Sequence, residues 1–140
     1  MSPRRNQLPP EALVIMLGKM GITKNSTVVV YTEKGDFKAA YLVWALDYLG
    51  HKSSVVLEGG FGKWQKEESP VTQDYPAIVA RPYGKPARLH KEVRASLDDV
   101  KKVVMSGGAV LLDVRTVDLY TGEKGAWKRK GHIKGALSRF

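Results

Sequence analysis

Apolar positions in the first part of the chain predict a helix followed by a strand. In LPPEALVIMLGKMGI, apolar residues recur with helical spacing, so that Leu13, Leu17 and Met20 share one face. Two prolines suit the start of this helix, and Gly21 suits its end. The run TVVVY that follows is apolar on both faces, which predicts a parallel strand buried on both sides.

The next pattern predicts a βαβ unit. Phe37 to Leu49 is apolar almost all around the helical axis, which predicts a deeply buried helix that Gly50 ends. SSVVLE predicts a second short strand, and GGFGKW predicts a glycine turn anchored by Phe61 and Trp64. Strand, helix and strand in this order should form a right-handed crossover.

A second block of elements follows a connection at residues 69–90 that holds four prolines. SLDD predicts a capping box with Ser96 as N-cap and Asp99 at its third position, ahead of a valine stripe that Gly107 ends. AVLLDV predicts a third buried strand. A polar stretch then leads to GHIKGAL, where two glycines indicate close backbone approach.

Composition excludes several classes of site. The 140 residues suit one domain of ordinary size, and no apolar run reaches the roughly 18 residues of a membrane span. No cysteine is present, which excludes disulfides, thiolate metal sites and a cysteine nucleophile within this chain. The three histidines lack metal-ligand spacing, so neither a metal nor another cofactor is expected.

The N-terminus reads as a helix and not as a clear signal peptide, which leaves the compartment undecided, with the cytoplasm as default.

The net charge of +9 is uneven along the chain. Residues 1–75 hold nine basic and eight acidic residues (+1), and residues 76–140 hold fourteen and six (+8). A basic half could attract nucleic acid or a small anion. A solvated surface, or one that faces an acidic neighbour, is the favoured interpretation because no nucleic-acid motif accompanies the charge.

The loop from Thr32 to Lys38 is the first candidate site. It joins the carboxyl end of a strand to a helix N-terminus, where parallel α/β sheets bind ligands and free amides favour an anion. Its candidate cradle comprises Glu33, Lys34, Gly35, Asp36 and Phe37. Thr32 stands where a nucleophile would be activated, but its hydroxyl needs a base and no histidine is near in sequence. A structural βα turn is therefore favoured over a weak anion cradle.

The second candidate site is centred on Asp113, which ends a predicted buried strand and so needs polar partners. Arg115 or His132 could supply them across the sheet edge. A structural polar tie is favoured over a catalytic Asp–His relay, because no nucleophile is in view.

Together these segments resemble the rhodanese (thiosulfate sulfurtransferase) family. Residues 8–75 are similar to the C-terminal half of a rhodanese domain, with strand, active-site loop, long helix, LGH, strand and GGFGKW in the family's order. Residues 93–140 are similar to the N-terminal half of another such domain, with LLDVR and GHIKGA, and residues 76–92 read as a linker. The resemblance implies an α/β fold with a mostly parallel central sheet flanked by helices.

The resemblance also implies sulfur-transfer chemistry. A cysteine at the first loop position takes sulfane sulfur from thiosulfate as a persulfide and passes it to a thiophilic acceptor such as cyanide, while loop amides stabilise the charged sulfur. That position here is Thr32, which cannot hold a persulfide. The loop therefore resembles the non-catalytic domain of tandem enzymes, which packs against a catalytic partner. Lys134 and Leu57 depart from the usual proline and aromatic residue.

Two accounts fit the unusual order of the halves. In one, the chain is a piece of a longer tandem rhodanese whose catalytic cysteine lies beyond Phe140. In the other, the second block completes the first as one circularly permuted domain, within one chain or by exchange with a second copy. Expected partners are accordingly a catalytic rhodanese domain or a second copy, with a small anion such as thiosulfate as ligand. The alternative function is a non-catalytic scaffold whose basic half docks on an acidic partner.

Overall fold

The computed structural model describes residues 9–33, 37–86 and 88–139. The chain divides into two compact units, Met1–Arg94 and Ala95–Phe140. The first unit contains α1 (Pro10–Lys19), β1 (Val28–Val30), α2 (Phe37–Tyr48), β2 (Ser54–Val56), α3 (Gly60–Lys66) and a short 3₁₀ turn at Lys91–Val93. The second contains α4 (Leu97–Ser106), β3 (Leu112–Asp113), α5 (Val117–Thr121) and β4 (Leu137–Ser138). No helix of the described residues is long and apolar enough to cross a bilayer.

The strands form two separate parallel pairs. Val28 of β1 aligns with Ser54 of β2, and Leu112 of β3 aligns with Leu137 of β4. Among the described residues, the second block adds no strand to the first sheet. Circular permutation within one chain requires a single sheet, which the described strands do not form. Exchange of strands between two chains stays a prediction.

The core of the first unit lies between α1 and α2. Its buried members are Leu13, Leu17, Ala45, Leu46, Leu49 and Tyr83. The face predicted for α1 is therefore confirmed at two of its three positions, while Met20 is exposed because it follows the last helical residue. Tyr83 belongs to the proline-bearing connection, so this stretch packs against α1 as part of the first unit.

Three burial predictions are wrong. β1 is open on one face, with Val29 53 % exposed, because β2 is its only described neighbour. The helix α2 buries one side only and leaves Phe37 and Tyr41 exposed. The predicted third buried strand shortens to Leu112–Asp113, with Val110 and Val114 exposed on either side.

Local end signals are confirmed. Ser96 Oγ accepts from the Asp99 amide at 3.2 Å and the Asp99 carboxylate accepts from the Ser96 amide at 2.8 Å, which completes the capping box of α4. GGFGKW differs from the predicted turn, because Gly59 takes a left-handed conformation and α3 begins directly after it.

Candidate functional site

The candidate anion loop begins where β1 ends. Thr32 and Glu33 follow the strand, and Phe37 opens α2 with its side chain exposed. Lys34, Gly35 and Asp36 were also predicted to form the cradle, and they lie outside the described residues. The described part of the loop is therefore its two ends.

The first turn of α3 closes onto this loop. The Phe61 amide donates to the Thr32 carbonyl at 2.9 Å, and the Gly62 amide donates to the Glu33 carbonyl at 3.1 Å. Helix N-terminal amides have no partner inside their own helix, so these two loop carbonyls satisfy them. A side chain at residue 62 would meet the Glu33 carbonyl at 3.2 Å, which accounts for glycine there. These two amides are consequently taken by the backbone and are not open to an anion.

An apolar pocket adjoins the start of the loop. The rings of Tyr31 and Phe61 stack with centroids 6.1 Å apart, and the Trp64 indole donates to the Pro70 carbonyl at 2.9 Å. These side chains help to line a cavity of about 370 Å³ on the open face of the first sheet. The aromatic residues that were predicted to anchor a turn therefore anchor the helix α3 beside β1.

The two histidine rings of the first unit make their described hydrogen bonds to residues other than Thr32. Within the first unit, His51 bonds the Tyr83 hydroxyl and the Ser26 carbonyl, both at 2.9 Å, and His90 contacts Asp47 at 3.0 Å. The part of the chain that the structure describes also holds no cluster of metal-ligating side chains. The described contacts of His51 and His90 therefore do not include activation of the Thr32 hydroxyl.

In the second unit, Asp113 and Arg115 form a bidentate ion pair. The Arg115 Nε donates to Asp113 Oδ1 at 2.9 Å, and its Nη2 lies 2.5 Å from Asp113 Oδ2. The same Nη2 donates to the Gly131 carbonyl at 2.9 Å. The Arg115 hydrogen bonds hold the pKa of Asp113 at about 2, below its usual range. This arrangement ties the end of β3 to the turn that precedes β4.

His132 does not join this pair directly. Its Nδ1 bonds the Tyr120 carbonyl at 2.9 Å, and its ring stacks on Tyr120 with centroids 3.8 Å apart. The Tyr120 hydroxyl in turn donates to the Ala136 carbonyl at 2.9 Å. The structure thus brings Asp113 and Arg115 together and places His132 against Tyr120, and no described hydrogen bond joins Asp113 to His132.

Replacing Asp113 by asparagine should destabilise the second unit in a pH-dependent way. Because the folded pKa of Asp113 is depressed, its contribution to stability is present above pH 4 and is lost as the pH falls toward about 2. The difference in unfolding free energy between wild type and Asp113→Asn should therefore be largest near neutrality and should fall steeply between pH 4 and pH 2. Urea unfolding followed by circular dichroism at several pH values measures this difference in unfolding free energy.

Asp118→Asn is the matched control for this experiment. Hydrogen bonds from Lys124 and Thr116 likewise hold the pKa of Asp118 at about 2, but this carboxylate is not paired with Arg115, whose Nη2 bonds the Gly131 carbonyl. A difference for Asp113→Asn that is unchanged from pH 7 to pH 2 would contradict the ion-pair assignment.

Comparison with known sequences supports the resemblance. Residues 2–67 match the family model described as Rhodanese-like domain. The chain is 34 % identical to the sulfur carrier protein TtuD of Thermus thermophilus, over 94 % of this chain and 50 % of that protein. It is 32 % identical to a thiosulfate sulfurtransferase of Corynebacterium glutamicum, over 96 % of this chain and 48 % of that protein. The chain thus spans about half the length of the curated relatives it matches.

Solved structures also resemble this chain over nearly its whole length. The wild-type structure of EanB superposes with a TM-score of 0.84 at 28 % identity, covering 95 % of this chain and 35 % of that one. YnjE superposes with a TM-score of 0.84 at 28 % identity, covering 99 % of this chain and 34 % of that one. The matches include a complex of an EanB variant with hercynine.

Proposed function

We propose that this chain, whose residues 2–67 match the rhodanese-like domain, is a sulfurtransferase module whose sulfur-carrying cysteine lies on a polypeptide outside these 140 residues. The observation that carries the proposal is Thr32, which lies two residues after the end of β1 and stands at the position of the family's sulfur-carrying cysteine, in a chain without cysteine. A threonine hydroxyl is a weak nucleophile without a base, and it forms no persulfide.

The proposal assigns the two blocks to two consecutive domains. Residues 8–75 are the C-terminal half of a non-catalytic domain, and residues 93–140 are the N-terminal half of the next. Support comes from the strands, which pair within each block among the described residues. Support also comes from alignments that cover nearly the whole chain and about half of each relative.

The proposed reaction proceeds in two displacements at the external cysteine. Its thiolate attacks the sulfane sulfur of thiosulfate, the S–S bond breaks, and sulfite leaves with the bonding electron pair. A thiophilic acceptor then attacks the outer sulfur of the persulfide, and the cysteine thiolate leaves. In this scheme the Asp113–Arg115 pair has a positioning role, because it holds β3 against the turn before β4.

Replacing Thr32 by alanine in the full-length parent polypeptide should leave its thiosulfate-to-cyanide sulfur transfer within about twofold of wild type. The reason is that Thr32 forms no covalent bond to sulfur in this scheme. Replacing the external loop cysteine by serine should abolish transfer, with a loss of more than about a thousandfold. Thiocyanate formation measures both. Loss of activity in Thr32→Ala, with the fold intact by circular dichroism, would overturn the proposal.

A docking role for the basic half is the second candidate. Trp127 is 64 % exposed next to Lys128, Arg129 and Lys130, and no described acidic group forms an ion pair with these three cations. Such a surface favours an acidic partner, whose association would weaken as salt screens the charges. The docking role does not depend on a sulfur-carrying cysteine, and this distinguishes it from the proposed sulfurtransferase role.

A further inference from the structure

A cavity of about 810 Å³ lies in the first unit between α1 and the facing residues 80–86 together with Leu89. Its two walls are tied together by a backbone hydrogen bond, in which the Arg81 amide donates to the Gly18 carbonyl at 2.9 Å. Beyond the lining, the Lys24 amide donates to the Tyr83 carbonyl at 3.2 Å. The buried pair of Tyr83 and His51, 2.9 Å apart, fixes the same wall to the end of α2. The cavity is therefore built into the fold of this unit.

The lining of the cavity is mostly apolar. Val14 and Ile15 contribute from α1, and Pro82, Pro86 and Leu89 contribute from the facing segment. Three of these residues lie on the connection, where rigid proline rings shape the wall without offering an amide donor. Small-molecule sites typically enclose about 300–1,000 Å³ and are lined mainly by apolar groups with a few polar ones. This cavity fits that description.

The charged residues of the lining favour an anion. Lys19, Arg81 and Lys85 supply three positive charges and Glu11 one negative charge, a local balance of +2. Among the described residues, none forms an ion pair with Lys19, Arg81 or Lys85. A ligand anion would therefore not have to displace an existing carboxylate partner.

The positive and negative groups of the lining are separated along α1. Lys19 follows Gly18, whose carbonyl bonds the Arg81 amide, so Lys19 and Arg81 belong to the same end of the cavity. Glu11 precedes Gly18 by seven residues, which corresponds to roughly 10 Å along the helix axis. At that distance, about one Debye length at physiological salt, its repulsion of an anion near Lys19 is largely screened.

We propose that this cavity binds a small amphiphilic anion, with an apolar chain or ring against Val14 and Leu89 and a single carboxylate or sulfonate held by Lys19 and Arg81. The apolar wall supplies the affinity for the ligand body, and the two cations select the charged head. The site lies in a different part of the unit from the loop at Thr32, and it does not depend on sulfur transfer.

Calorimetric titration of the intact chain with decanoate, below its micelle concentration, tests the proposal. Saturable binding of one decanoate per chain is expected, and decanol of the same chain length should bind at least about fivefold more weakly. The double variant K19E/R81E should lower decanoate affinity about tenfold and leave decanol affinity unchanged. Both replaced residues are exposed, so the variant should remain folded.

The control variant is K63E/K66E on α3, which makes the same change in net charge at exposed positions outside the cavity. It should bind decanoate like wild type. Equal loss in both double variants would show an effect of overall charge and would overturn the assignment. Equal affinity for decanol and decanoate, or an absence of saturable binding to the folded wild-type chain, would overturn it as well.

Discussion

Replacing Leu46 by alanine is expected to lower the free energy of unfolding of the first unit by about 3 kcal/mol. Leu46 is fully buried on α2, and it belongs to the cluster that joins α2 to α1 and to Tyr83. Truncation removes apolar contact and leaves a cavity, because the tied wall of the connection cannot move in to fill it. A loss of this size is a large fraction of the stability of a small unit.

Urea unfolding followed by circular dichroism measures the effect of Leu46→Ala. The matched control is Ile78→Ala, which shortens an aliphatic side chain that is 62 % exposed, and it should change the unfolding free energy by less than about 0.5 kcal/mol. Similar losses for the two variants would show that the assigned core does not hold the unit together.

Replacing Gly18 by valine is expected to cost about 3 kcal/mol and to release the connection from α1. A Cβ at this position would lie 2.7 Å from the Arg81 carbonyl oxygen and 3.3 Å from the Tyr83 amide nitrogen. Both contacts are with backbone, so the segment must shift as a whole. The hydrogen bond from the Arg81 amide to the Gly18 carbonyl would be lost with that shift.

Hydrogen exchange at the Arg81 amide, together with urea unfolding, detects this release. Lys19→Val is the matched control, because it places the same β-branched residue one position along the same helix at an exposed site. It should preserve the protection of that amide. Protection that survives in Gly18→Val would contradict the close packing of the connection on α1.

Local signals in the sequence predict the element ends well. Pro10 begins α1, Gly50 follows the end of α2 with φ of 70°, and Ser96 caps α4. These positions depend on backbone conformation and on nearest neighbours, which a short stretch of sequence specifies almost completely. The strands β1 and β2 are also predictable, because β-branched runs and their glycine boundaries are local. The strand β4 at Leu137–Ser138 has no such run, and the sequence did not predict it.

Burial was harder to predict, because it depends on neighbours that are distant in sequence. An apolar run such as TVVVY has the composition of a strand buried on both faces, but β1 has one described neighbour and Val29 stays exposed. The role of Tyr83 shows the opposite case. A tyrosine in a proline-bearing connection gives no periodic signal, although it becomes a core residue through its bond to His51.

The candidate sites were predictable to different degrees. The pairing of Asp113 with Arg115 follows from two residues on the same side of a short strand end, and their proximity is local. The contact of His132 with Tyr120 depends on how a loop of a dozen residues folds back, which its glycines permit but do not specify. The capping of α3 by the carbonyls of Thr32 and Glu33 had one local signal, the paired glycines of GGFG.

Persulfide formation in Thr32→Cys most directly tests the central claim, that the loop after β1 is a cysteine-free form of a sulfur-carrying loop. The variant chain is incubated with thiosulfate and its mass is measured before and after cyanide treatment. The account predicts a gain of one sulfur atom that cyanide removes as thiocyanate, and no such gain in the control Thr121→Cys, which places a thiol at an exposed position of the second unit. A folded Thr32→Cys chain that gains no sulfur, or a control that gains as much, would contradict the claim.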